Sequence, residues 1–111
     1  MSDLTEKHCE PCEGGIAAMD TNRANEQLQK LDQWEIDVNS KKISKQFSFK
    51  NFHRTMSFVN AVAWVANQEN HHPDIELGYN YCNISLTTHA IDGLSVNDFI
   101  VAAKIDVIEK L

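Results

Sequence analysis

The run Glu69-Asn70-His71-His72-Pro73-Asp74 sets two imidazoles side by side in a chain of 111 residues that holds five histidines. Histidine is the side chain whose ordinary pKa, about 6.5, lets it give and take a proton near neutrality. A third, His89, follows in Thr87-Thr88-His89-Ala90-Ile91-Asp92-Gly93-Leu94. Where two imidazoles reach one substrate, one can protonate a leaving group while the other removes a proton elsewhere. Three histidines can also hold a catalytic zinc. Here the i, i+4 spacing of helical ligands is absent, and rings on adjacent residues reach one metal poorly. A plainer reading also stands: a histidine pair that ends a helix complements the negative end of its dipole. Spacing alone leaves the three readings open. His8 and His53 read as surface residues.

The other constellation is His8-Cys9-Glu10-Pro11-Cys12, a C-x-x-C beside a histidine. One such pair is half a zinc site, and no second pair follows it. A redox motif of this spacing opens a helix after a strand. This one sits near Pro11, Gly14 and Gly15, in a stretch without periodicity. Residues 1–20 therefore read as a flexible N-terminal arm, and 21–111 as one domain. The third cysteine, Cys82, reads as a small core residue.

The elements that must position the histidines follow from periodicity. Thr21 or Asn22 caps a short helix to about Leu31. Trp34, Ile36 and Val38 alternate with Glu35 and Asp37 as a half-buried strand. A turn at Asn39-Ser40 leads to Ile43, Lys45, Phe47 and Phe49, a second strand whose apolar set Lys45 interrupts. From Asn51 the period becomes helical: Phe52, Met56, Val59, Ala63 and Ala66 form one stripe, widened by Phe58, Val62 and Val65. Pro73 sets the end of that helix. A third strand begins at Asp74, Asn80 between Tyr79 and Tyr81 marks a turn, and Cys82, Ile84 and Leu86 alternate along a fourth. Ser95 and Asp98 resemble a capping box that opens the last helix. The order α-β-β-α-β-β-α predicts an α+β fold: a four-stranded antiparallel sheet with helices on one face. If strands three and four form a hairpin, His71 and His72 stand before its start and His89 at its finish, side by side.

Composition narrows the partners. A net charge of −6 disfavours nucleic acid and anionic membrane surfaces, both of which call for clustered Lys and Arg. The longest apolar run, Ala61–Ala66, falls far short of the roughly 20 residues that span a bilayer. The start is polar and acidic, unlike a signal peptide, and an odd cysteine count does not suit a disulfide scaffold. These features suit a cytoplasmic protein.

The stretch His71-His72-Pro73 through Tyr79, His89 and Asp98, with Gly93-Leu94-Ser95 between, closely resembles the pterin-4a-carbinolamine dehydratase family. Trp34 and the segment 45–66 extend the resemblance, which covers about residues 22–111. It implies dehydration of 4a-hydroxytetrahydrobiopterin to quinonoid dihydropterin, in pterin recycling for an aromatic amino acid hydroxylase, without a cofactor or a metal. Carried over by motif, His71, His72 and His89 are the catalytic histidines. The substrate-binding set is these three with Pro73, Tyr79 and Asp98; Tyr79 shapes the pocket and Asp98 holds a histidine in its useful tautomer or caps the helix. A homodimer or homotetramer is implied. One position departs: Asn67 stands where many members carry a charge. The alternative reading is a protein-interaction module, since animal members act as dimerisation cofactors of a homeodomain transcription factor. A third is a zinc-binding protein.

Overall fold

In a computed structural model of the chain, residues 3–10 and 17–111 are described. Cys12 and the glycines of the expected arm lie outside them. Three α-helices and four strands follow in the expected order: α1 (Thr21–Leu28), β1 (Glu35–Ile36), β2 (Ile43–Ser48), α2 (Phe52–Glu69), β3 (Asp74–Leu77), β4 (Tyr81–Leu86) and α3 (Val96–Lys110). Short 3-10 turns at Asp3–Glu6 and His89–Ile91 complete it. The sheet is antiparallel throughout, in the order β1-β2-β4-β3. Two hairpins thus lie edge to edge, with β2 against β4.

One face of the sheet is apolar and covered. Cys82, Ile84 and Leu86 are buried while Tyr81, Asn83 and Ser85 between them stay partly exposed, the alternation a half-covered sheet requires. Phe58 of α2 stacks between Phe47 and Phe49, with ring centroids at 4.7 and 4.9 Å. Such ring pairs add about 0.5–1.5 kcal/mol each beyond the area they bury. α3 is the most deeply buried helix: Phe99, Ile100, Val101, Ala102, Ala103 and Ile105 are all inside. Leu4, from the segment expected to lie apart as an arm, is fully buried in this core.

Several local readings are corrected. The cap of α1 is Asp20, whose carboxylate accepts the Arg23 N–H at 2.8 Å, not Thr21 or Asn22. β1 stops at Ile36, because Asp37 folds the chain by accepting the N–H groups of Lys41 and Lys42. Val38 is therefore fully in solvent. Lys45 does point inward: its ammonium meets Asp106 at 2.9 Å, and Asp106 also accepts the Trp34 indole N–H at 3.0 Å. The α2 stripe is rotated from the expected one. Thr55, Phe58, Val62, Val65, Ala66 and Glu69 are buried, whereas Phe52, Ala63 and Trp64 are exposed. Finally, α2 ends at Glu69 because Asn70 turns left-handed (φ 52°), three residues before Pro73.

Candidate active site

The left-handed Asn70 sets the position of His71. The His71 N–H returns to the Ala66 carbonyl at 3.1 Å, closing the helix end. The ring then reaches the first turn of α3, where Nε2 lies 2.6 Å from Asp98 Oδ1. Asp98 is fully buried. Its other oxygen accepts the Ser95 N–H at 3.0 Å and the Thr88 hydroxyl at 2.8 Å. Asp98 therefore both closes the capping box of α3 and contacts His71. A carboxylate only accepts hydrogen bonds. The network thus assigns the hydrogen of neutral His71 to Nε2, leaving the lone pair on Nδ1.

His72 is exposed, and its Nε2 lies 2.9 Å from Asn67 Oδ1. Asn67, the position that departs from the family resemblance, thus touches the second histidine directly. His89 opens the 3-10 turn beyond β4, exposed and with no side-chain partner among the described residues. Because β3 pairs with β4 from Asp74↔Ser85 onward, the entry to β3 and the exit from β4 lie at the same end of the hairpin. There a cleft of about 540 Å³ is lined by all three imidazoles, with Thr87 and Thr88.

The other two predicted residues are not brought into this cleft. Pro73 is half-buried beside it. Tyr79 sits in the turn between β3 and β4, at the far end of the hairpin, and its side chain is largely in solvent. The turn is closed there by the Gly78 N–H donating to Tyr81, so residue 79 points away from the histidines' end. Its contribution is its carbonyl, which accepts from the Thr55 hydroxyl.

One wall of the cleft was missed in the sequence. Cys9 and Glu10 line it from the N-terminal segment, held by Glu69 and Asn97. Glu69 is buried, and its carboxylate accepts from Lys104 Nζ at 2.7 Å, the Cys9 N–H at 2.7 Å and His8 Nδ1 at 3.0 Å. Burial alone would raise its pKa; these three donors outweigh burial and hold it at about 2. Asn97 spends both ends of its amide on one backbone position, accepting the Glu10 N–H at 3.2 Å and donating to the Glu10 carbonyl at 2.6 Å. Burial, then the Glu69 carboxylate, pushes the Cys9 thiol up to about 12, so it is a poor thiolate. Among the described residues no group of three or more metal-ligating side chains converges, and no helix is long and apolar enough to cross a membrane.

The site is thus a set of three imidazoles at one end of a hairpin in an α+β domain, one of them gripped by a buried carboxylate. The sequence profile of the family described as pterin 4 alpha carbinolamine dehydratase matches residues 17–108, and the chain belongs to that family. A relative from Legionella pneumophila (strain Lens), provisionally named a pterin-4-alpha-carbinolamine dehydratase, is 56% identical over 95% of this chain and 94% of its own. A Nitrosomonas europaea protein with the same provisional name is 51% identical over 97% and 95%. A Brucella melitensis crystal structure, described as a transcriptional coactivator/pterin dehydratase, superposes with a TM-score of 0.79. It is 29% identical and covers 83% of this chain and 98% of its own. A pterin dehydratase-like protein, described as a RuBisCO assembly factor, shares the fold at 24% identity (TM-score 0.62, covering 70% and 90%).

Proposed function

We propose that this chain dehydrates 4a-hydroxytetrahydrobiopterin to the quinonoid dihydropterin by histidine acid–base catalysis. The reaction breaks the C4a–O bond, removes the proton on N5 and forms the C4a=N5 double bond, releasing water. Hydroxide leaves poorly, so an acid must protonate the 4a-hydroxyl as a base takes the N5 proton. In this reading His71 is the base, acting through Nδ1, and His89 is the acid, as an imidazolium free of protein partners. His72, tethered by Asn67, orients the pterin. After each turnover the proton on His71 passes to solvent and His89 is recharged from it. No bond to the protein forms.

The observation that carries the reading is the His71–Asp98 contact at 2.6 Å within a cleft shared with His72 and His89. Family membership supports the substrate. The same reading implies pterin recycling beside an aromatic amino acid hydroxylase in the cytoplasm, and a homodimer or homotetramer. The exposed apolar Phe52 and Trp64 of α2 favour such assembly. A second reading, an interaction module with an idle site, draws on the coactivator description of the Brucella melitensis protein. The test is dehydration of enzymatically generated 4a-hydroxytetrahydropterin, followed by absorbance. Acceleration by the wild type with losses of about 10²–10⁴ in His71→Ala and His89→Ala is expected. A folded wild type that does not accelerate the reaction would sink the proposal and favour the interaction module.

A further inference from the structure

Two carboxylates are buried at the cleft, Glu69 on its wall and Asp98 behind His71, and both are spent. Asp98 is engaged by His71, Thr88 and Ser95; Glu69 is engaged by Lys104, His8 and the Cys9 N–H. The remaining acid on its wall among the described residues is Glu10. Its side chain is exposed and makes no hydrogen bond or ion pair among those residues, yet its backbone is fixed on both sides by the buried amide of Asn97. A free carboxylate on a clamped backbone, carried by a residue that lines the cleft, is placed to meet something that enters it.

The chemistry of a pterin says what. Its pyrimidine edge presents two parallel donors, N3–H and one hydrogen of the 2-amino group, the same fork that guanidinium offers to a carboxylate. Proton transfer at C4a and N5 occupies the histidines at another part of the ring system, so the pyrimidine edge requires a separate acceptor. We infer that Glu10 is a specificity-determining residue that accepts the N3–H and 2-amino edge of the substrate, on a wall built by docking the N-terminal segment onto Glu69 and Asn97. This rests on the dehydratase reading and deepens it. Glu69 and Asn97 are positioning residues in this scheme, because they touch the segment and not the ring.

The test compares two inhibitors that differ at one group: 7,8-dihydropterin, and its 2-oxo analogue, which replaces the 2-amino donor by an acceptor. Their inhibition constants are measured in the dehydration assay with wild type and Glu10→Gln. The wild type is expected to prefer the 2-amino compound by about tenfold or more, the ratio carried by one charge-assisted hydrogen bond. In Glu10→Gln that preference should fall to within about twofold, since the amide can donate to the 2-oxo group. KM should rise about tenfold while kcat moves by less than threefold. A purely structural role for Glu10 would weaken both inhibitors equally. An active wild type whose preference survives in Glu10→Gln overturns this inference and leaves the dehydratase reading standing. A wild type that neither dehydrates the carbinolamine nor binds 7,8-dihydropterin by calorimetry overturns both. Asn97→Ala, which releases the backbone of Glu10, should reduce the preference in the same direction as Glu10→Gln.

Discussion

Replacing Asp98 by Asn removes one charge and keeps nearly every atom. Oδ2 receives two donors, the Ser95 N–H and the Thr88 hydroxyl, while Oδ1 faces His71 Nε2 at 2.6 Å. An amide has one carbonyl oxygen and one NH₂. The carbonyl belongs on the Ser95 side, where an NH₂ would oppose a backbone N–H and forfeit a cap worth about 1 kcal/mol. The NH₂ then faces Nε2, which must accept, so the hydrogen of His71 moves to Nδ1. That is the nitrogen assigned to take the N5 proton. The base is therefore lost with its ring in place, and kcat is expected to fall by about 10²–10⁴ with KM little changed. Removing the charge from a hydrogen bond this buried should also cost about 1.5–3 kcal/mol of stability. Stopped-flow dehydration paired with urea unfolding measures both. A folded Asp98→Asn protein with kcat within threefold of wild type would refute the tautomer argument and remove His71 as the base.

Other outcomes follow from the same contacts. Glu69 has its pKa lowered from 4.5 to about 2, so its stabilisation is complete above pH 4.5 and is lost as pH falls toward 2. Glu69→Gln should forfeit about 3 kcal/mol at neutral pH, and its deficit should shrink across that window in urea titrations. Lys45→Met strands Asp106 in a site where both partners are almost wholly buried, at a cost of about 3–5 kcal/mol. Lys45→Met with Asp106→Asn should recover part of that loss, because the amide still accepts from Trp34. With its thiol pushed up to about 12, Cys9 should react with iodoacetamide at pH 8 at least about a hundredfold slower than in urea, read by peptide mapping. Glu69→Gln should speed that reaction.

The architecture was legible where one period ruled. Alternation in Cys82-Ile84-Leu86 and the Ser95–Asp98 spacing placed β4 and the start of α3, and the hairpin argument put His89 beside His71 and His72. α2 was harder, since it is apolar over much of its circumference. The choice of face turned on Thr55 and Glu69, polar residues that are buried because distant groups satisfy them: the Tyr79 carbonyl for one, Lys104 and the N-terminal segment for the other. Lys45 is the same case, reading as a break in a strand until Asp106 is set beside it. Tyr79 was given a pocket role through the resemblance; strand pairing puts it at the opposite end of the hairpin. No local signal marks Asn97 as a clamp, because its partner is the backbone of a segment that reads as loose.

The wall formed by Cys9 and Glu10 has a consequence for how the chain is made. His8 and Cys9 leave the ribosome well before their partners, Glu69 and the Asn97 carbonyl, which lie 61 and 88 positions later. His71 likewise waits for Asp98. Contacts so far apart in sequence form late, after the loops between them have been closed. The strands and α2 can pair as they emerge, but the cleft can assemble only when α3 has arrived to receive both His71 and the segment of Cys9 and Glu10. A chain halted before that helix holds every histidine of the site and has no site.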